Sequence, residues 1–207
     1  LVGGGNMGAA MAHGWLDGAL APAGLTVLDP NAGAPLQPLI AKGARHVTEA
    51  PSESFDIVVV AVKPAIWREA LAPLLPHLGE QAVILSVMAG VTAPSLAEGV
   101  GPWPIVRVMP TTGVARGRGV ATVYAGDAAA RALGRALFEP MAVTVDLPDE
   151  AAMDAATAVA GSGAAYFYAM TEALARGGEA AGERGGLSRR PPRPRRCSRS
   201  ARARSCW

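Results

Sequence analysis

The fold is decided by the opening of the chain, where residues 1–8 read LVGGGNMG. Residues 3–8 fit the pattern G-x-G-x-x-G, between a strand stub at Leu1–Val2 and an Ala/Met-rich helix predicted over Asn6–Gly18. Because glycines have no side chains, the backbone of this loop can approach a pyrophosphate closely. The helix N-terminus offers free N–H groups and a partial positive charge to the anion. This setting favours a dinucleotide-binding loop over a turn that merely links a strand to a helix.

Beyond that loop the chain alternates short apolar strands with helices. The Val-rich run at Asp56–Val62 is typical of a strand with both faces covered, as in a parallel sheet. This alternation predicts a Rossmann-type, doubly wound α/β sheet. The predicted strands are Leu25–Leu28, Asp56–Val62, Ala82–Val87, Ile105–Val108, Val120–Ala125 and Val143–Leu147, and the predicted helices are Asn6–Gly18, Pro35–Lys42, Ile66–Leu78 and Ala128–Phe138.

The pattern changes near Pro148. From Asp149 to Ala181 the sequence is Ala-rich, has no strand signal and contains one Gly-Ser-Gly break at residues 161–163. We therefore predict a dinucleotide-binding domain at 1–147 and the start of a second, all-α domain at 148–184, incomplete in this chain. The Arg/Pro-rich residues 185–207 are predicted to be disordered.

This tail is predicted to be a translation artefact, because GC-rich helix codons read one base out of register give its Arg, Pro, Ser, Ala and Cys content. The alternative is a native basic arm that binds nucleic acid through phosphate contacts. If the tail is an artefact, the preceding helix lacks its packing partners and its apolar face promotes association. The residues of that face are Met153, Val159, Phe167, Met170 and Leu174.

The net charge of +2 arises in the same tail. Residues 187–207 contain eight Arg and no acidic residue, which leaves 11 basic and 17 acidic side chains in the rest of the chain. A mildly acidic body argues against nucleic-acid binding, and no apolar run approaches the ~20 residues that span a bilayer.

Both cysteines, Cys197 and Cys206, lie in the tail and the histidines are scattered, so we predict no metal site and a cytoplasmic location.

Two charged residues follow predicted strands, where ligands bind in open α/β sheets. Asp29 lies 24 residues after Gly5, where an acidic residue holds the ribose hydroxyls of NAD; alternatively, it only initiates a turn with Pro30. Asn31 and the N-terminus of the next helix can instead receive the 2′-phosphate of NADP. The residue types therefore do not decide between NADH and NADPH as the cofactor. Lys63 ends the most hydrophobic strand and faces phosphate, ribose or an anionic substrate, unless it is a solvated cap.

Four more segments read AVKP at 61–64, AGVT at 89–92, RVMP at 107–110, and DA at 154–155 followed by GSGAAY at 161–166. Together with the glycine loop, in this order and spacing, they resemble the pyrroline-5-carboxylate reductase family. The resemblance implies reduction of the C=N bond of 1-pyrroline-5-carboxylate to L-proline with NADPH or NADH. It also implies that the all-α domain is a dimerisation domain that holds a homo-oligomer together, with the active site between the two domains.

The resemblance assigns roles to individual residues, to which the strand-end argument adds Asp29 and Asn31. The predicted cofactor-binding residues are Val2, Gly3, Gly5, Asn6, Met7, Gly8, Asp29, Asn31, Ala61, Val62, Lys63, Pro64, Met88 and Ala89. The predicted substrate-binding residues are Ser162 and Gly163, beside the reacting ring.

Several positions depart from the family pattern. The family's Met-Pro-Asn-Thr-Pro reads MPTTG at 109–113, its Gly-Ser-Gly-Pro-Ala-Tyr has Ala164 in place of Pro, and a Gly-Glu-Gly has Arg118 at its centre. The Pro-Gly-Gly-Thr loop that gives the family its substrate contacts is missing, so no catalytic residue is predicted and turnover by this chain is expected to be impaired.

Three other functions stay open. A β-hydroxyacid dehydrogenase-like enzyme or an F420-dependent NADP reductase shares the glycine loop and the AVKP segment, although the motif at 161–166 counts against both. The chain can also be a dinucleotide-binding protein without catalysis. Finally, it can bind nucleic acid through its tail, which the acidic body disfavours.

Overall fold

The opening residues lie within a sheet. In the computed structural model, which describes residues 1–18, 20–31 and 33–182, Val2 forms parallel bridges with Leu28 on one side and Val60 on the other. The Val2 N–H donates to the Val59 carbonyl and the Ala61 N–H donates to the Val2 carbonyl, each at 2.8 Å. The predicted strand stub is thus confirmed, and it joins a two-stranded part of the sheet to a five-stranded part.

The described residues form seven strands. β1 and β2 pair in parallel on one side of Val2, and the other five follow in the order β3-β4-β5-β6-β7 on the other side. The strands are Thr26–Leu28 (β1), Arg45–Val47 (β2), Phe55–Val60 (β3), Leu78–Ser86 (β4), Ile105–Pro110 (β5), Gly119–Tyr124 (β6) and Ala142–Asp146 (β7).

Pairing is parallel except between β5 and β6, which run antiparallel. Their connection contains a single 3₁₀ turn at Thr112–Arg116. A parallel crossover needs a dozen or more residues, so this short link returns the chain in the opposite direction. The alternation pattern did not reveal this reversal.

Helices cover both faces of the sheet, which confirms the predicted doubly wound architecture. Along β3, Val59 belongs to one buried cluster, together with Met11 and Phe138. Its neighbours Val58 and Val60 belong to a second cluster that includes Trp67 and Leu96. The helices before β7 are Asn6–Asp17 (α1), Gln37–Ala41 (α2), Trp67–Leu71 (α3), Ala93–Val100 (α4) and Ala128–Phe138 (α5).

After β7 the described chain is helical. It contains Ala152–Ala156 (α6), a π-helical segment at Thr157–Gly163, and Ala164–Ala180 (α7). Residues 161–163, the predicted Gly-Ser-Gly break, thus lie in the π-helical segment. One compact unit comprises Leu1–Gly163 and a second begins at Ala164; the domain limits 1–147 and 148–184 stay predictions.

One expected surface residue is in fact buried. Met153 is 1% exposed because α6 packs against the sheet, where the Met153 sulfur lies 3.6 Å from the Thr122 hydroxyl oxygen of β6. Within the described residues, Val159, Phe167, Met170 and Leu174 are exposed. The Arg-rich tail lies outside the described residues. Among the helices that are described, none combines the length and apolar character of a membrane span.

Candidate functional site

The four glycines of the opening loop have different surroundings. A Cβ on Gly3, whose φ is +97°, would lie 2.7 Å from the Ala61 carbonyl oxygen, and one on Gly8 would lie 2.1 Å from the Gly3 carbonyl oxygen. A Cβ on Gly4 would lie 2.4 Å from the Leu36 side chain. At Gly5, by contrast, a Cβ would meet no described atom within 4 Å. The fold itself therefore needs the first, second and fourth glycines, while the space at Gly5 is open to a ligand.

This loop presents the start of α1. Gly5 is its N-cap, and among the described residues no side chain caps that end. The first helical hydrogen bond runs from the Ala9 N–H to the Gly5 carbonyl at 2.8 Å, so the amides of residues 6–8 point out of the helix. Gly5 and Asn6 are exposed. The arrangement suits an anion at the helix N-terminus.

Asp29 ties this loop to the end of β1. One carboxylate oxygen accepts the Gly4 N–H at 2.6 Å, and the other accepts the Asn31 N–H at 2.8 Å. Asp29 thus initiates a turn, as one interpretation predicted, and also clamps the glycine loop. Its side chain lines the cavity described next.

An open cavity of about 1000 Å³ lies at the carboxyl ends of β1, β2 and β3. A cavity of this size accommodates a large ligand such as a nucleotide. Seven of the predicted cofactor-binding residues line it: Val2, Gly3, Gly5, Asp29, Ala61, Val62 and Lys63. The other lining residues are Leu28, Pro30, Thr48, Glu49, Ala50, Ile66, Glu69, Ala70 and Pro73.

Sequence reasoning missed Thr48, Glu49 and Ala50 because it missed β2, whose three residues are too short for a clear alternation. The signal available was a short segment between Gly43 and the turn-forming Pro51. The missed residues alter the charge of the cavity. Asp29, Glu49 and Glu69 bring three carboxyl groups to this wall, and among the residues that the structure describes Lys63 is its one basic side chain.

The remaining predicted cofactor-binding residues are not part of this wall: Asn6, Met7, Gly8, Asn31, Pro64, Met88 and Ala89. Met88 is 3% exposed and its side chain belongs to the core, whereas Ala89 and Gly90 are exposed in the loop after β4. The predicted substrate residues lie in the π-helical segment, where Ser162 is exposed and Gly163 is half-buried. Neither lines the cavity. The described residues contain no metal-binding cluster of His, Cys, Asp or Glu.

Family models match two parts of the chain. The model described as pyrroline-5-carboxylate reductase dimerisation matches residues 150–190. The model described as NADP oxidoreductase coenzyme F420-dependent matches residues 1–90, less than half of the chain.

Among curated proteins, a pyrroline-5-carboxylate reductase of Pseudomonas aeruginosa is 35% identical over 195 residues, which cover 91% of this chain and 70% of that protein. A pyrroline-5-carboxylate reductase of Glycine max is 35% identical over 61% of this chain and 47% of its own length. The chain thus spans from about half to 70% of these relatives.

Solved structures show the same fold. A pyrroline-5-carboxylate reductase from Coxiella burnetii superposes with a TM-score of 0.80 at 25% identity, covering 90% of this chain and 72% of the other. A pyrroline carboxylate reductase from Plasmodium falciparum, solved with NADP bound, gives 0.78 at 27% identity over 90% and 71%.

Proposed function

Because this chain belongs to the pyrroline-5-carboxylate reductase family, we propose that it binds a reduced nicotinamide dinucleotide along the carboxyl edge of its sheet. We further propose that the intact protein reduces 1-pyrroline-5-carboxylate to L-proline in the cytoplasm. The observation that carries the binding proposal is the opening at Gly5, which lies beside the bare N-terminus of α1 and on the wall of the large cavity.

We assign separate groups of residues to the adenosine half and to the nicotinamide half of the dinucleotide. The glycine loop, with Asn6 and Met7, holds the pyrophosphate. Asp29 faces the adenosine ribose, and Lys63 faces a phosphate. Pro64, Met88 and Ala89 lead to the nicotinamide ribose, and Ser162 and Gly163 hold the imino acid. When bound, the reduced nicotinamide supplies the hydride for the C=N carbon.

The test of this function has two parts. Calorimetric titration of the chain with NADH and NADPH measures binding, and oxidation of NAD(P)H in the presence of 1-pyrroline-5-carboxylate measures turnover. The Pseudomonas aeruginosa relative serves as the positive control for both measurements. It is named a pyrroline-5-carboxylate reductase, and this chain matches 70% of its length. Binding without turnover would identify a dinucleotide-binding fragment, and turnover with a keto acid in place of the imine would favour a hydroxyacid dehydrogenase.

We expect Asp29→Ser to shift cofactor preference toward NADPH. A carboxylate close to a 2′-phosphate repels it by on the order of 1 kcal/mol or more at an effective dielectric of ~20, and Glu49 and Glu69 line the same cavity. The measurement is the ratio of the NADH and NADPH dissociation constants. Glu139→Gln, on an exposed residue outside the cavity wall, is the control. An unchanged ratio in Asp29→Ser would leave Asp29 with a structural role alone, through its hydrogen bonds to Gly4 and Asn31.

We also propose that two copies of the chain associate through α7, in the segment matched by the dimerisation model. Five large side chains of this helix are each more than 60% exposed: Tyr166, Phe167, Tyr168, Met170 and Leu174. An exposed apolar patch of this kind marks an interaction surface.

Phe167→Glu should therefore weaken self-association by roughly tenfold or more, since a carboxylate buried in an apolar interface loses hydration. Sedimentation velocity over a concentration series measures the effect. Glu172→Gln, which removes a charge from the same helix, should change association little. If Phe167→Glu and the unmodified chain sediment alike, α7 is not the interface.

A further inference from the structure

An ion pair between a buried arginine and a half-buried glutamate lies where three parts of the fold meet. Arg107 of β5 donates from Nη1 to Glu150 Oε1 at 2.8 Å, with the two side chains 4% and 19% exposed. The same Glu150 oxygen accepts the Ala93 N–H at the start of α4 at 2.6 Å. One carboxylate oxygen therefore connects β5, α4 and the segment that follows β7.

These contacts bracket one loop. Residues 87–92 run from the end of β4 to the start of α4 and contain Met88 and Ala89. At the first end, the Ser86 hydroxyl accepts the Met88 N–H at 3.2 Å, and Ser86 is the register partner of Arg107 on the next strand. At the other end, Glu150 holds Ala93. Both ends of the loop are thus fixed beside the same ion pair.

Glu150 also begins the segment that leads to the substrate residues. Met153, three residues later, is buried against β6, and the π-helical segment with Ser162 follows directly on α6. The carboxylate is therefore placed to set the position of the loop 87–92 relative to the helical segment that begins after β7.

We propose that Glu150, held in place by Arg107, is a positioning residue for the nicotinamide half of the cofactor. This inference rests on the proposed function, since it takes Met88 and Ala89 as the contacts to the nicotinamide ribose. The adenosine half binds in the cavity at β1–β3, whose wall contains neither Arg107 nor Glu150. Loss of Glu150 should therefore affect one half of the dinucleotide and spare the other.

The experiment compares NADH with ADP, which lacks the nicotinamide ribose and ring. Glu150→Ala removes both bonds and should weaken calorimetric binding of NADH by about tenfold or more, with ADP binding changed less than about twofold. Glu150→Gln retains an Oε1 that can accept from both Arg107 and Ala93, and should keep most of the NADH affinity. Asp146→Asn, which breaks the exposed Arg135–Asp146 pair, should change neither ligand.

Glu150→Ala leaves a buried guanidinium without a counterion, so this variant can fail to fold. The double variant Arg107→Met/Glu150→Met removes the tether without leaving a charge and should show the same selective loss of NADH. An equal loss of both ligands, or no loss, would overturn the positioning role while the proposed function stands. An unmodified chain that binds neither NADH nor ADP would overturn both.

Discussion

Gly5→Val should weaken dinucleotide binding by about 100-fold or more with only a small loss of stability. The φ of Gly5 is −65°, which a valine adopts readily, and a Cβ there would meet no described atom within 4 Å. The branched side chain would instead occupy the space proposed for the pyrophosphate. We expect a loss of about 100-fold or more in NADH affinity, equivalent to about 2.7 kcal/mol. The midpoint of thermal unfolding should fall by no more than about 2–4 °C, because valine is a poorer N-cap than glycine.

Calorimetry with NADH and a thermal melt of the same sample measure the two quantities. Gly126→Val is the matched control, because its Cβ also meets no described atom within 4 Å and it lies outside the cavity wall. Normal NADH affinity in Gly5→Val would show that the pyrophosphate does not approach this glycine.

Gly8→Ala should show the opposite behaviour, a large loss of stability that does not depend on any ligand. Its Cβ would lie 2.1 Å from the Gly3 carbonyl oxygen, a backbone atom that cannot rotate away. Relieving the overlap requires α1 to move from the sheet, where Met11 and Ala12 are fully buried. We expect a cost of about 3 kcal/mol in the free energy of unfolding.

Chemical denaturation without cofactor measures that cost, and Gly126→Ala provides the control. Stability equal to that of the unmodified chain would mean that the loop and α1 adjust freely. The two glycine variants together separate the part of the motif that the ligand needs from the part that the fold needs.

The sequence predicted the fold best where a pattern was long or punctuated. Ala128–Phe138 was predicted with its observed bounds because its apolar residues repeat at helical spacing after Asp127, whose side chain caps the helix by accepting the Ala130 N–H. β2 and α4 were missed. β2 has three residues, and α4 contains Pro94 and Gly99, which weaken a helix pattern although Pro is favoured in the first turn.

The candidate site was predictable to a similar degree. The strand-end rule located Asp29 and Lys63 on the cavity wall. It did not reveal that both Asp29 oxygens accept backbone N–H groups. The bond from the Gly4 N–H depends on how closely the glycine loop approaches β1, which the sequence pattern does not indicate. Nor could it find Glu150, whose partners Arg107 and Ala93 lie 43 and 57 residues away in the chain.

The way in which the first residues of the chain join the two parts of the sheet has a consequence for hydrogen exchange. Within the described residues, β1 and β2 join the other five strands through the short segment Leu1–Gly3, in which Val2 makes the bridges to both sides. Opening this pair would break few sheet hydrogen bonds, although Val27 of β1 is buried in the same cluster as Met11 and Val59. We expect the amide protons of β1 and β2 to exchange with solvent faster than those of β4 and β5. The cavity wall includes residues from both sides of Val2, such as Thr48 and Lys63. A bound nucleotide would therefore span the weak joint and slow exchange in β1 and β2 more than in β4 or β5.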